Sequence, residues 1–78
     1  LAGSPFSLSL QPIEILVNGE PRQVPPSASV EALLAFLQLP LDRVAVELNK
    51  RLIRKRDWSA TTISQGSQVE IVEFVGGG

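Results

Sequence analysis

The chain has 78 residues, 44% of them hydrophobic, and a net charge of −1, which suits one small domain that buries only about 60% of its unfolded surface. It contains neither cysteine nor histidine, so disulfides, thiolate metal sites, cysteine nucleophiles and imidazole bases are all excluded and stability must come from packing. The acidic residues show no paired-carboxylate spacing, the charge supplies no pull toward nucleic acid or anionic membrane, and no apolar run reaches transmembrane length, which argues against an enzyme acting alone.

Residues 1–12 lack the charged start, unbroken apolar core and cleavage pattern of a signal peptide, are interrupted by Pro5, and do not begin with methionine. They are expected to be a leader or an appended remnant, poorly ordered and outside the fold. The alternation of Phe6, Leu8 and Leu10 with polar residues fits an added edge strand as a second reading.

Order is expected from Ile13-Glu14-Ile15-Leu16-Val17, a β-rich run closed by Asn18-Gly19, the pair that most readily supplies the positive φ angles of a tight hairpin turn. Pro21 cannot donate to a ladder, so residues 22–24 read as a short edge strand. Pro25-Pro26-Ser27 then forces a loop. Ser29 is placed to cap a helix, Glu31 lies in its first turn, and Val30, Leu33, Leu34 and Leu37 fall at i, i+3, i+4 and i+7. Pro40 is expected to end that helix.

Val44, Val46 and Leu48 alternate with Ala45 and Glu47, and Asn49-Lys50 turns the chain into residues 51–53 as a second hairpin. The polar stretch to Gly66-Ser67 reads as a loop pinned by Trp58 and Ile63, with Trp58 as a core anchor. Residues 68–74 form the last strand, with Val69 and Ile71 on one side and Val72 and Phe74 on the other, a two-faced pattern that suits a central position. The order hairpin, helix, hairpin, strand predicts an α+β fold, a sheet with one main helix packed on one face. If Ile15, Val69 and Ile71 face the helix, Leu16, Val72 and Phe74 share the open face, where they make a partner surface, a second buried layer or a dimer contact. Lys50, Arg51, Arg54, Lys55 and Arg56 concentrate five of the seven basic residues, but without interleaved aromatics they read as a solvated face rather than an RNA-binding one.

After Val75 come only Gly76, Gly77 and Gly78. Three glycines have no side chain to pack and are costly to order, but at roughly 3.3 to 3.6 Å per residue they reach about 10 Å into a narrow channel and present a terminal carboxylate there.

In this order, closing on glycines, the chain resembles the ubiquitin-like β-grasp sulfur carriers, most closely the thiamin-biosynthesis sulfur carrier family (ThiS), over residues 13–78. The resemblance is carried by Val17-Asn18-Gly19, the helix from Ser29, Val46-Glu47-Leu48-Asn49, Arg56-Asp57-Trp58, and Val69-Glu70-Ile71-Val72 running through Phe74-Val75 into Gly76-Gly77-Gly78. Lys55 stands where the family usually has proline, and Ser67 where it usually has an acid. The resemblance implies a mixed sheet of four to five strands and a cytoplasmic protein that is a co-substrate rather than an enzyme. It binds no cofactor stably. A ThiF-type adenylating enzyme consumes ATP to activate the Gly78 carboxylate, a sulfur donor such as a cysteine desulfurase system converts it to a thiocarboxylate, and thiazole synthase takes the sulfur. Gly76 and Gly77 supply clearance, and Leu16, Val72 and Phe74 the partner-binding surface. Two other readings stand beside this one: the small subunit of molybdopterin synthase, which typically has a longer segment than residues 39–43 between helix and third strand, and a ubiquitin-like modifier or interaction module.

Overall fold

The computed structural model describes residues 11–75, so the expectations for residues 1–10 and for Gly76, Gly77 and Gly78 lie outside the described residues. Strands β1 (Ile13–Val17) and β2 (Glu20–Val24) form the first hairpin, with Val17 opposite Glu20 across a two-residue turn. Asn18 and Gly19 both take positive φ, 52° and 84°, the geometry that matches the twist of the flanking strands.

Helix α1 (Val30–Phe36) starts where the sequence places it, with Ser29 Oγ accepting from Ala32 N at 3.0 Å. It buries Val30, Leu33 and Leu34 completely. Its end differs from expectation. Rather than running to Pro40, the helix closes at Leu37, because Gln38 enters the left-handed region at φ 61°. Gln38 N donates to Ala35 O and Leu39 N to Leu34 O, a Schellman closure that satisfies the last carbonyls before the proline is reached.

A 3₁₀ turn (Leu41–Arg43) leads into β3 (Val44–Leu48), which returns through Asn49 and Lys50, at φ 51° and 71°, into β4 (Arg51–Ile53). The stretch read as loop contains a second 3₁₀ helix, Lys55–Ala60, which carries Trp58 into the core. The Trp58 Nε1 donates to Ile53 O at 3.0 Å, so the buried indole keeps its polar edge satisfied. Val30 N donates to Thr61 O and Ile63 N to Ala28 O, which ties this segment to the start of α1. Ser67, in the position of the family's usual acid, is buried and its Oγ accepts from Ser64 N at 3.2 Å, so it builds the turn before the last strand.

The last strand, β5 (Gln68–Glu73), completes a five-stranded mixed sheet in the order β2-β1-β5-β3-β4. It lies parallel to β1 and antiparallel to β3. The core is one cluster between sheet and helix: Ile15, Val17, Val24, Val44, Val46 and Val69 from the strands, the three α1 residues, Trp58 and Ile63. Thus the expected α+β architecture is found, with β2 and β4 at the edges and β5 at the centre.

Candidate functional site

The candidate site is the end of β5 from which the chain runs toward its glycines. Because β1 and β5 are parallel, this end lies beside the Asn18-Gly19 turn. On the other side β3 accompanies β5 as far as the pair Val44 and Glu73, and Phe74 N then donates to Arg43 O at 2.7 Å. Val75, 94% exposed, follows with no packing of its own.

On the helix side of this exit, Val17, Leu37, Leu39 and Ile71 floor a shallow cleft of about 310 Å³, with Arg22 and Glu73 at its rim. On the opposite side nothing among the described residues covers the sheet. Val72 is 60% exposed and Phe74 52% exposed, and Ala45 is the register partner of Val72. Leu16 shares this side but not the patch. It pairs across β1 and β5 with Gln68, four residues before Val72, or about 13 Å along the strand. It is half-buried, and the exposed Glu70 lies between it and Val72. The structure therefore brings Val72 and Phe74 together at the exit and leaves Leu16 near the entrance of β5.

Two asparagines also act on β5, and the side-chain contribution of neither was anticipated from turn chemistry. Asn49 N donates to Gln68 O at 2.7 Å while its Oδ1 accepts from Gln68 N at 2.9 Å. Asn18 Oδ1 accepts from Ile71 N at 2.7 Å and its Nδ2 donates to Ile71 O at 3.2 Å. The sequence signal was only that both are the first residue of a two-residue hairpin turn; the partner of Asn18 is 53 residues away.

The basic residues Lys50, Arg51, Arg54, Lys55 and Arg56 are all exposed along β4 and the 3₁₀ helix, and the nearby Trp58 is buried and unavailable for stacking. No helix among the described residues is long and apolar enough to cross a membrane. No group of three or more metal-ligating side chains occurs among the described residues.

Comparison with known proteins agrees with this arrangement. The model of the ThiS family matches residues 15–78. The chain is 36% identical to the thiamine biosynthesis protein ThiS of Geobacter metallireducens, whose crystal structure superposes with a TM-score of 0.75 over 85% of this chain and 100% of that one. The solution structure of a thiamine biosynthesis protein from the same organism gives a TM-score of 0.73, covering 85% of this chain and 88% of that one. Among sequences, a thiazole synthase of Paramagnetospirillum magneticum is 38% identical over 66 residues, 85% of this chain, and so is the ycf40 protein of Porphyra purpurea. The match takes up 93% of the ycf40 protein but only 20% of the thiazole synthase, so the chain spans about a fifth of the length of that relative. With its five-stranded mixed sheet, one main helix among the described residues and a family match reaching Gly78, the chain has the ubiquitin-like β-grasp fold and belongs to the ThiS family.

Proposed function

We propose that this chain carries sulfur as a thiocarboxylate on Gly78 for assembly of the thiazole ring of thiamin, acting in the cytoplasm as a co-substrate of partner enzymes. The observation that carries this reading is that the family match runs through Gly78, directly beyond a central strand whose last described residues are exposed.

A carboxylate with a reference pKa near 3.5 is ionised at neutral pH and is a poor electrophile, so it must be activated. One carboxylate oxygen of Gly78 attacks the α-phosphorus of ATP on a ThiF-type adenylating enzyme, and pyrophosphate leaves with the electrons of the broken P–O bond. A persulfide from a cysteine desulfurase system is cleaved by a thiol reductant, which supplies the two electrons and ends in a disulfide, and the HS⁻ so released adds to the acyl carbon. AMP departs with the electrons of the C–O bond and one proton passes to solvent. The product is a thiocarboxylate at unchanged oxidation level, and thiazole synthase receives its sulfur. Support for that last partner is the presence of a segment similar to this chain within the longer thiazole synthases of Paramagnetospirillum magneticum and Magnetococcus marinus.

Gly76 and Gly77 act by clearance: each lacks the Cβ that would widen the tail inside a channel. Val72 and Phe74 form the docking surface, with Leu16 as a separate contact further along the open face. Ordering the tail only within a partner forfeits about 1 to 2 kcal/mol per residue, which favours release between successive enzymes.

Mass spectrometry of the protein isolated from its native host tests the class, with one sulfur in place of one oxygen at Gly78 as the expected result. Isopeptide conjugates to lysines in its place would identify a modifier. Offering the thiocarboxylate form to thiazole synthase and to molybdopterin synthase separates the two pathways. Deleting Gly78, or adding one residue beyond it, abolishes sulfur transfer while circular dichroism and melting stay unchanged. Normal transfer by either variant would overturn the assignment of Gly78.

A further inference from the structure

We infer that Asn18 is a positioning residue for the reactive tail: its side-chain amide stands in for a missing strand residue and sets the direction in which β5 leaves the sheet. This inference rests on the carrier reading above.

The β1–β5 ladder shows why such a device is needed. Gly66 N donates to Glu14 O, Leu16 N to Ser67 O, and Asn18 N to Val69 O, each at 2.8 to 2.9 Å. In a continuing parallel ladder the next β1 residues would serve both the N–H and the C=O of Ile71. At that point β1 reverses through Asn18-Gly19, and no backbone is left to do so. The primary amide of Asn18 has the same donor and acceptor as a peptide group, and one orientation serves both Ile71 N and Ile71 O. Without it, β5 beyond Val69 is held by β3 alone, along one edge. A strand held on one edge pivots about that edge, and over the four residues from Ile71 on to Val75, about 13 Å, a pivot of about 10° moves the base of the tail by about 2 Å. Misplacement of a reacting group by about 1 Å can cost up to a hundredfold in rate.

Asparagine meets both demands of the position. It tolerates the left-handed φ of 52° that the turn imposes, and its amide is short enough to stay against the strand. Asn49 supplies an internal control. It has nearly the same φ, 51°, and also bonds β5 through its Oδ1, but at Gln68, the first residue of the strand and remote from the exit.

The experiment compares wild type, Asn18→Gly, Asn49→Gly and Asn18→Asp, using the purified chain, a ThiF-type adenylating enzyme and ATP. Glycine accepts the turn geometry at both sites, so each Gly variant deletes the side-chain bonds and keeps the hairpin. Asn18→Gly is expected to lower kcat for pyrophosphate release about tenfold with KM within twofold, and to speed hydrogen exchange at Ile71 N–H at least tenfold. Asn49→Gly keeps wild-type kcat even where its melting temperature falls as far. Asn18→Asp, which retains the acceptor for Ile71 N–H but not the donor to its carbonyl, gives an intermediate kcat. Unchanged kcat in Asn18→Gly overturns the inference, as does an equal fall in both Gly variants in proportion to lost stability. Should Asn18→Gly not fold, a wild-type kcat in Asn18→Asp overturns it equally. The wild-type arm keeps the two levels apart: no pyrophosphate release from wild type overturns the carrier reading and the inference together, whereas wild-type release with an unaffected Asn18→Gly overturns the inference alone.

Discussion

The two faces of the sheet are built from similar residues and do opposite things. Val69 and Val72 lie three residues apart on β5, yet Val69 is 1% exposed against α1 and Val72 is 60% exposed on the open side. Period-two alternation puts residues an odd number apart on opposite faces, and only one face receives a helix. In a domain this small, that one layer provides the core. The difference teaches that, among the described residues, folding uses one surface of β5 and leaves the other exposed. The open face also carries a cost: Glu47 and Glu70 are direct register partners, like charges set opposite one another, which an interior-facing pair would not tolerate.

Leu34→Ala would break the comparison most severely, because Leu34 is fully buried on the helix face; a loss of about 2 to 5 kcal/mol in chemical denaturation is expected. A loss below about 0.5 kcal/mol, typical of surface sites, would mean that the closed face is not where the fold draws its stability.

Phe74→Ala probes the other face, and its effect belongs to binding. Affinity for the adenylating enzyme, measured by titration calorimetry, should weaken by about 1 to 3 kcal/mol while the melting temperature of the free chain holds. A sharp fall in melting temperature with affinity intact in the folded fraction would move Phe74 from the recognition face into the core.

A near-isosteric pair sharpens the contrast further. Val69→Thr buries a hydroxyl where none is accommodated and should cost about 1 to 3 kcal/mol. Val72→Thr keeps a β-branched side chain in water and should stay within about 0.5 kcal/mol of wild type. Equal costs in the two variants would erase the distinction between faces. The experiments on Gly78 and Asn18 act on function rather than on this stability difference, so they remain interpretable whichever face a partner covers.

What the sequence by itself determined is local. Asn18-Gly19 required a tight hairpin, Ser29 required a helix start, the spacing of Val30, Leu33, Leu34 and Leu37 required one core-facing stripe, and the apolar patterns of residues 44–48 and 68–74 required strands, the last of which ends one residue earlier, at Glu73. Each follows from φ preferences, donor capping or side-chain periodicity, which act within a few residues. The glycine run after Val75 carried the functional reading for the same reason: its meaning lies in what the residues lack.

Tertiary structure decided what depends on distant partners. Gln38 adopts a left-handed φ, for which glutamine has no strong local preference, and closes α1 early, with Leu37 and Leu39 on either side of it packed against the core. Lys55–Ala60 becomes a 3₁₀ helix that carries Trp58 into the core shared with α1 and the strands. Leu16 and Val72 share a face by alternation, but the parallel register of β1 against β5 separates them, and register is a property of strand pairing that alternation within one strand does not encode. The role of Asn18 lies furthest from local reach. Its identity is explained by a turn, while its amide is used by Ile71, and only the closing of β5 beside β1 brings the two within hydrogen-bond distance.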